Sequence, residues 1–180
     1  MIKYITSDLH LGHEKVLEYC NRPYDTVENM NEDFINKINK LPDGSHLYHL
    51  GDFVIGGKKK ILEFLSRIKK NIKMIFILGN HDSMKPTIVQ EDKRILWVGY
   101  YKKEKVLGGD VYLFHYPILE WPSKHYGTIH FHGHSHGNST YPYLPARIRD
   151  VGIDCTNYEI RSLEDHVKEM LEIPFGKERL

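Results

Sequence analysis

Five short polar clusters, each directly following an apolar segment, constrain the fold of this 180-residue chain more than any other feature. They are Asp8-Leu9-His10, Gly51-Asp52, Gly79-Asn80-His81-Asp82, His115 and Gly133-His134-Ser135-His136. The apolar run from Lys73 to Leu78, which precedes the third cluster, is typical of a strand buried on both faces. Because ligands bind at the carboxyl ends of strands in open α/β sheets, we expect the five clusters to converge on one site.

Helical spacing of apolar residues separates the early strands. Residues Thr26 to Leu41 and Lys58 to Lys70 show this spacing, which predicts alternating strands and helices in the first half of the chain. The second half has short strand candidates at Ile95 to Tyr101, Glu104 to Leu107, Val111 to His115, Thr128 to His132 and Arg149 to Ile153. A last helix is predicted from Leu163 to Glu172, with His166 exposed. The pattern predicts an α/β fold, and without a repeat or linker we expect residues 1–180 to form one domain.

The charge balance is close to neutral, with 25 lysines and arginines against 24 aspartates and glutamates. This balance gives no argument for a strongly basic nucleic-acid surface, so we expect no stable nucleic-acid complex. Two cysteines occur, neither with the spacing of a paired metal ligand, which favours a reducing, cytoplasmic setting. The start lacks the long apolar stretch of a signal peptide, and no apolar run approaches the roughly 18 residues of a membrane span, so we expect neither export nor membrane association.

Histidine is unusually frequent, since the chain has 12 and five of them lie between His125 and His136. Such crowding suggests a metal site. Residues two apart in an extended segment project to the same side, so Asp8 and His10 can grip one ion, and His134 can likewise pair with His136. Oxygen and imidazole ligands without thiolate suit manganese, iron, zinc or nickel without deciding between them, and manganese is the ion we expect first.

The candidate ligands outnumber what one ion takes. They are seven residues: Asp8, His10, Asp52, Asn80, His115, His134 and His136. One ion would use three or four of these, so the set predicts two divalent ions that share Asp52 as a bridging carboxylate. Two ions roughly 3.5–4 Å apart can lower the pKa of a bridging water to give a hydroxide nucleophile, and can neutralise phosphoryl charge. We expect His81 to protonate the leaving alkoxide and Asp82 to orient its ring.

Together these motifs resemble the signature of the calcineurin-like metallophosphoesterases, in an order and spacing that span most of the chain. The resemblance implies a four-layer α/β/β/α fold, in which a β-sandwich is flanked by helices. It also implies one metal held by Asp8, His10, Asp52 and His136, and a second held by Asp52, Asn80, His115 and His134. His81 matches the family's catalytic histidine.

One departure from the family pattern concerns the segment after Gly51-Asp52. Many members carry a further acidic residue and an arginine there, whereas this chain continues with Phe53-Val54-Ile55-Gly56-Gly57. That arginine grips phosphate in the protein phosphatases, so its absence disfavours protein phosphatase activity. The short chain, its compact opening and His115-Tyr116-Pro117 resemble small bacterial and phage phosphoesterases.

The combined interpretation is a metal-dependent phosphoesterase that hydrolyses small phosphodiesters, with nucleotide-derived esters among the candidates. Two alternatives stay open: a nuclease acting on short nucleic acids, and a noncatalytic metal-binding scaffold for protein partners. Aromatic and guanidinium groups could bind the nonreacting part of a substrate, although ordinary packing or a surface position is the favoured interpretation for each of Arg22, Tyr24, Trp121, Tyr141 and Arg147. Asp150, Gly152 and Asp154 could position the histidine loop through hydrogen bonds.

Overall fold

The computed structural model describes residues 1–84, 87–88, 91–141 and 146–173, and within them two β-sheets pack face to face. The strands are β1 (Lys3–Thr6), β2 (His46–Leu50), β3 (Lys73–Ile77), β4 (Ile95–Gly99), β5 (Tyr101–Val106), β6 (Gly109–Phe114), β7 (Ile129–His132), β8 (Ile148–Asp150) and β9 (Arg161–Ser162). The α-helices are α1 (Val16–Tyr19), α2 (Val27–Lys40), α3 (Lys58–Ser66) and α4 (Leu163–Glu172). No helix among these residues is long and apolar enough to cross a membrane.

The first sheet has the order β4-β3-β2-β1-β9, in which β1 to β4 are parallel and β9 pairs antiparallel with β1. The second sheet has the order β5-β6-β7-β8, with an antiparallel β5–β6 hairpin and parallel pairing from β6 to β8. An isolated parallel bridge joins Ser7 to Gly152, so the two sheets meet directly after β1. This junction lies beside Asp8, the first residue of the first polar cluster.

Two apolar layers hold the sheets and helices together. One lies between the sheets, where Ile5, Leu113 and Phe131 are fully buried. The other lies between the first sheet and helices α2 and α3, whose apolar residues recur at helical spacing and share one face. Thr26 caps α2 by accepting a hydrogen bond from the Asn29 backbone N–H at 3.1 Å, which fixes where the helix begins. This packing keeps the strand ends that carry the polar clusters at one edge of the molecule.

The predicted α/β class, with two sheets flanked by helices, is confirmed. Helix α4 packs against β1, β9 and β5, while Trp121 packs on Tyr112 and Ile148 of the second sheet. The sequence does not predict β9, because two residues carry no readable alternation. The sequence also predicts that β5 begins at Glu104, whereas it begins at Tyr101. Lysines occupy both its half-buried and its exposed positions, so the alternation of apolar and polar residues that marks a strand is missing there. The single domain stays a prediction.

His166 is buried, with 1% of its surface exposed, so the expectation that it lies on the surface is wrong. It shares the inward face of α4 with Met170, and its ring packs against Phe131 of the second sheet. Its Nδ1 lies 3.3 Å from a guanidinium nitrogen of Arg149. Burial, together with the charges of Arg161 and Arg149, lowers the pKa of His166 to about 4.

Replacing His166 with leucine is expected to flatten the pH dependence of stability between the folded-state pKa of about 4 and the ordinary value of 6.5. In that window the unfolded chain binds a proton that the folded chain does not, so the wild-type free energy of unfolding falls as the pH falls. One such group contributes a slope of up to about 1.4 kcal/mol per pH unit. Urea unfolding at several pH values measures the slope, with His125→Leu at an exposed histidine as the control. An unchanged slope in His166→Leu would contradict the assignment.

Candidate metal centre

The loops that follow β1, β2, β3, β6 and β7 meet at one end of the sheets, as the sequence predicts. The backbone N–H of Asp8 donates to the Gly51 carbonyl at 3.0 Å, and that of His134 donates to the Asp8 carboxylate at 2.9 and 3.1 Å. The Nδ1–H of His115 donates to the Leu50 carbonyl at 2.7 Å. These hydrogen bonds join segments that are far apart in the chain, and they place the polar clusters around one centre.

Five of the candidate ligands have a left-handed backbone, with φ of 58° at Asp8, 50° at His10, 60° at Asp52, 69° at His134 and 47° at His136. The expectation that Asp8 pairs with His10, and His134 with His136, from extended segments is therefore wrong about the backbone, although the ligand atoms of Asp8 and His10 do lie within 4.8 Å of each other. Left-handed residues other than glycine are uncommon and cost about 1–3 kcal/mol each, so they persist where surrounding contacts enforce them. Their concentration here indicates that the backbone is bent to aim these side chains at one point.

Two motif glycines are required because other atoms occupy the space that a side chain would need. A Cβ at Gly51, whose φ is 95°, would lie 2.2 Å from His115 Nδ1. A Cβ at Gly133 would lie 1.9 Å from Ser7 Oγ and 2.4 Å from an Asp8 carboxylate oxygen. Contacts this short do not occur in proteins, so the loops can approach each other this closely only through glycine.

The Asp52 carboxylate lies between histidines of two different motifs. Its Oδ2 is 3.5 Å from Nε2 of His10 and 3.6 Å from Nε2 of His115. Its Oδ1 accepts a hydrogen bond from the His81 backbone N–H at 3.0 Å. His10 Nε2 is buried and has no hydrogen-bond partner. An unpaired buried nitrogen is costly, and a cation shared with Asp52 would satisfy it.

His115 presents a lone pair to the centre. Its Nδ1–H donates to Leu50, and burial lowers its pKa, so the ring is neutral and Nε2 is an acceptor. Nε2 lies 2.9 Å from Oδ1 of Asn80, which is also an acceptor. Two acceptors at this distance, with Asp52 Oδ2 beside them, fit around a shared cation and repel each other without one.

Two groups of side chains that include Asp8 have their ligand atoms within 4.8 Å of one another. One group is Asp8, His10 and His136, and the other is Asp8, Asp52 and His115. Asp8 belongs to both groups, whereas the family resemblance gives it to one metal. It is fully buried, and this burial, opposed by the nearby His136, raises its pKa to about 8. A metal charge reverses such a penalty by favouring the ionised carboxylate. The residues present therefore fit divalent ions.

Asp154 contacts the His136 ring at Nδ1, and Arg22 in turn holds Asp154. The His136 Nδ1–H donates to Asp154 Oδ2 at 2.7 Å, which directs Nε2 away from this carboxylate. Burial opposes charge on His136, but the hydrogen bond to Asp154 raises its pKa to about 10, so a bound metal must displace a proton. The buried Arg22 guanidinium donates to both Asp154 oxygens, at 2.8 and 2.7 Å, and to the carbonyls of Asp8 and Leu9. Arg22 therefore has the packing role favoured from the sequence.

The loop-positioning role expected for Asp150 and Asp154 is confirmed by their hydrogen bonds. Asp150 accepts from the backbone N–H groups of Gly137 and Gly152, at 3.1 and 2.8 Å, and so fixes the loop that carries His136. Cys20 is a residue that the sequence analysis does not single out, yet its sulfur lies within 4.8 Å of the ligand atoms of His136 and Asp154. Motif spacing could not have identified Cys20, because it lies at the end of α1 and belongs to none of the polar clusters.

Asp82 does not orient the His81 ring, and that expectation is wrong. Its Oδ2 accepts hydrogen bonds from the backbone N–H groups of Asp52 and Gly79, at 2.8 and 2.9 Å, and its Oδ1 accepts one from Phe53 at 3.0 Å. Both carboxylate oxygens are thus engaged by the main chain. Asp82 ties the loop after β3 to the loop after β2, and it sets the position of Asp52.

Replacing Asp82 with asparagine is expected to lower kcat/KM for a phosphate ester about 10–100-fold, because an amide NH₂ would face backbone N–H groups and shift the Asp52 loop. The free energy of unfolding should fall by about 1–3 kcal/mol. Steady-state hydrolysis and urea unfolding measure the two effects. Asp43→Asn is the control, because this exposed carboxylate precedes β2 and so lies at the strand end opposite to Asp52. Activity equal to that of the wild type would contradict the positioning role.

Three of the predicted site residues, Asn80, His81 and His134, are exposed and form the rim of the centre. The His81 ring centroid lies 5.5 Å from that of His10, and the His134 ring packs on Tyr116 at 4.6 Å. Among the described residues, His134 belongs to neither group of clustered ligand atoms, although its backbone binds Asp8. The centre is therefore buried on its protein side and open on the side of these three side chains.

Comparisons with known proteins agree with this geometry. The model of the calcineurin-like phosphoesterase family matches residues 4–166. An uncharacterised protein from Methanocaldococcus jannaschii is 33% identical over 92% of this chain and 89% of its own length, and the gene 66 protein of Mycobacterium phage L5 is 26% identical over 92% and 95%. A solved structure of a protein of unknown function from Aquifex aeolicus shares the fold, with a TM-score of 0.72, 22% identity and coverage of 93% and 98%. This chain belongs to the calcineurin-like phosphoesterases, a family of metal-dependent hydrolases.

Proposed function

We propose that this chain hydrolyses small phosphodiesters with the help of two divalent ions. The observation that carries the proposal is the position of Asp52 Oδ2, which lies within 3.6 Å of Nε2 of both His10 and His115. A carboxylate between two imidazole nitrogens from different motifs suits a bridge between two ions better than a ligand to one. Manganese and a cytoplasmic setting are part of the same proposal.

The predicted metal ligands fall into two sets, one on each side of Asp52. Asp8, His10 and His136 would hold one ion on the Arg22 side, while His115, Asn80 and the rim residue His134 would hold the other, and Asp8 is close enough to serve both. When bound, the two ions supply an activated water near neutral pH and neutralise charge on the phosphoryl group. The protein contributes the rigid backbone that holds these donors, since each loop is tied to its neighbour by hydrogen bonds.

His81 is the proposed proton donor to the leaving group. Its backbone N–H is fixed to Asp52 Oδ1 at 3.0 Å, so the residue is anchored to the bridging carboxylate. Its side chain is exposed, with its ring 5.5 Å from that of His10 and 6.2 Å from that of His13. An exposed imidazole at the rim can reach the ester oxygen of a bound substrate and can exchange its proton with solvent.

A preference for diesters is supported by the residues that follow Asp52. Phe53 and Val54 are fully buried, and the Phe53 ring packs against Phe76 at 5.0 Å, so this segment turns into the core instead of presenting a cation to substrate. A phosphomonoester carries a charge of about −1.5 to −2 near neutral pH, whereas a diester carries a charge of about −1 and needs less compensation. Hydrolysis of bis-p-nitrophenyl phosphate faster than p-nitrophenyl phosphate would support this part of the proposal, and the reverse order would contradict it.

Replacing His81 with alanine is expected to lower kcat about 10²–10⁴-fold for a diester with an alkyl leaving group, which needs a proton as it departs. For a p-nitrophenyl leaving group the loss should be less than about tenfold, because that anion is stable without protonation. Measuring kcat for both esters separates proton donation from metal binding, and His13→Ala tests whether any nearby imidazole suffices. Equal losses with the two esters would contradict the role of His81.

The two alternatives predict different results in the same assays. A nuclease would cleave short oligonucleotides with higher kcat/KM than simple diesters, and its binding would weaken steeply with salt. A noncatalytic scaffold would bind metal ions yet hydrolyse neither ester with any of the candidate ions. Either result would replace the proposed phosphodiesterase activity.

A further inference from the structure

A cavity of about 130 Å³ lies between two segments that directly follow metal-ligand motifs in the chain. One wall is the segment 117–119, which follows His115, and the other is the segment 139–141, which follows His136. The Ser139 hydroxyl is hydrogen-bonded to that of Ser135, which lies between the histidines of the last motif. The cavity is therefore built from the same loops that carry the metal ligands.

The lining of this cavity is mostly apolar, with aromatic rings and a few polar groups. Trp121 is buried and held by a hydrogen bond from its Nε1 to the Thr128 hydroxyl at 3.1 Å. The Tyr141 hydroxyl donates to His132 Nε2 at 2.6 Å, which fixes that ring as well. An apolar cavity with fixed aromatic walls and a small number of polar groups is the usual form of a small-molecule site.

Two polar groups of the described lining, Lys124 and Thr140, can donate hydrogen bonds into the cavity, whereas the Ser139 hydroxyl already donates to Ser135. The Lys124 ammonium lies 5.5 Å from the Trp121 ring centre and is bound to the Leu119 carbonyl at 2.7 Å and to Glu120 at 3.0 Å, which leaves its third N–H for another partner. The hydroxyls of Ser139 and Thr140 complete the lining. Carbonyl oxygens on the edge of a planar ring would match these donors.

The size of the cavity limits what it can hold. A dry protein cavity of about 150 Å³ binds benzene, so about 130 Å³ is enough for one six-membered ring, although this cavity is open to solvent on one side. Ala146 forms part of the wall, and its short side chain leaves the space open.

We propose that this cavity binds a single planar ring on the ester group that stays on phosphorus when a phosphodiester substrate is hydrolysed, as found in a pyrimidine nucleotide or an aryl ester. The inference rests on the proposed phosphodiesterase activity and adds the class of group that the substrate carries. Trp121 and Tyr141, for which ordinary packing is favoured from sequence alone, here hold the ring, and Lys124 and Thr140 would donate to the carbonyl oxygens of a pyrimidine.

Binding can be tested apart from hydrolysis with thymidine and benzyl alcohol, which carry the ring but no phosphate. Calorimetric titration of the manganese-loaded protein should show saturable binding of at least one of them below about 10 mM, and the comparison distinguishes a pyrimidine from a simple aryl ring. Ala146→Phe, which fills the cavity, and Thr140→Phe, which covers it from an exposed position, should each weaken this binding by at least about tenfold. Val106→Phe, in a separate cavity beside α4, is the matched control.

The substrate role is tested by the ratio of kcat/KM for thymidine 5′-(p-nitrophenyl) phosphate to that for methyl p-nitrophenyl phosphate. This ratio should fall about tenfold in both cavity variants and stay within about twofold in Val106→Phe. Absence of binding of both probes, or a ratio unchanged in the cavity variants, would overturn the proposal. Thymidine binding without hydrolysis of either ester by the wild type would instead overturn the phosphodiesterase activity and leave the ring site standing.

Discussion

Replacing Asp52 with asparagine is expected to lower kcat for bis-p-nitrophenyl phosphate by about 10³-fold, the largest loss that we expect for this ester. The amide keeps the size of the side chain and an oxygen that can accept the His81 backbone N–H, so the loop should keep its shape. What the substitution removes is the negative charge between Nε2 of His10 and Nε2 of His115. Steady-state hydrolysis measures the loss. Manganese is kept at a saturating concentration, so that weaker metal binding alone cannot account for a lower kcat.

Two controls make the Asp52→Asn result specific. The melting temperature of the variant should stay close to that of the wild type, because both residues fill the same space. Asp43→Asn, at an exposed carboxylate that accepts a hydrogen bond from Asn71, should keep full activity. A kcat for Asp52→Asn within about tenfold of the wild type would contradict a bridging role for this carboxylate.

Replacing Arg22 with methionine is expected to lower the free energy of unfolding by about 3–5 kcal/mol, because the buried Asp154 loses its guanidinium partner and keeps only the single hydrogen bond from His136 on that carboxylate. The Arg22 side chain is fully buried and that of Asp154 is 8% exposed, so solvent cannot replace the lost interaction. The carbonyls of Asp8 and Leu9 lose a donor at the same time. Urea unfolding measures the effect, and metal affinity at the His136 side of the centre should fall with it.

A double variant separates this ion pair from general loss of packing. Adding Asp154→Asn to Arg22→Met removes the uncompensated charge, so the double variant should be more stable than the sum of the two single losses predicts. Arg67→Met breaks an exposed pair with Glu32 and should cost at most about 1 kcal/mol. Additive losses in the double variant would contradict the coupling between Arg22 and Asp154.

The convergence of the motifs could be predicted from the sequence because it depends on strand ends. Short apolar runs such as Lys73 to Leu78 mark buried strands, and parallel strands in one sheet bring the residues that follow them to the same edge. Asp8 and Asp52, which follow the neighbouring parallel strands β1 and β2, therefore lie together. His115 follows β6 of the second sheet, and its approach to Asp52 depends on how the two sheets pack. The α/β class follows from the same alternation of strands and helices.

The directions of the ligand side chains could not be predicted from the sequence. They depend on backbone dihedral angles, which the hydrophobic periodicity does not indicate. The left-handed φ of Asp8 and His10 replaces the extended geometry that a spacing of two suggests. Asp82 stands next to His81 in the sequence, yet its oxygens face the backbone of a different loop.

Supporting contacts were also hidden, because they join distant positions that carry no motif. Arg22 reaches Asp154 across the first and last thirds of the chain, and Cys20 lies near His136 without any shared spacing. The buried position of His166 depends on which face of α4 meets the sheets, and a histidine among apolar residues gives no sign of that. Such contacts become visible only when the packing of the whole fold is known.

The most direct test of the two-ion phosphodiesterase is a titration of chelated protein with manganese while the hydrolysis of bis-p-nitrophenyl phosphate is followed. With the protein well above the dissociation constants, the activity should rise until about two equivalents of manganese per chain are present and then level off. Activity that is independent of added metal, or that is complete at about one equivalent, would contradict the account.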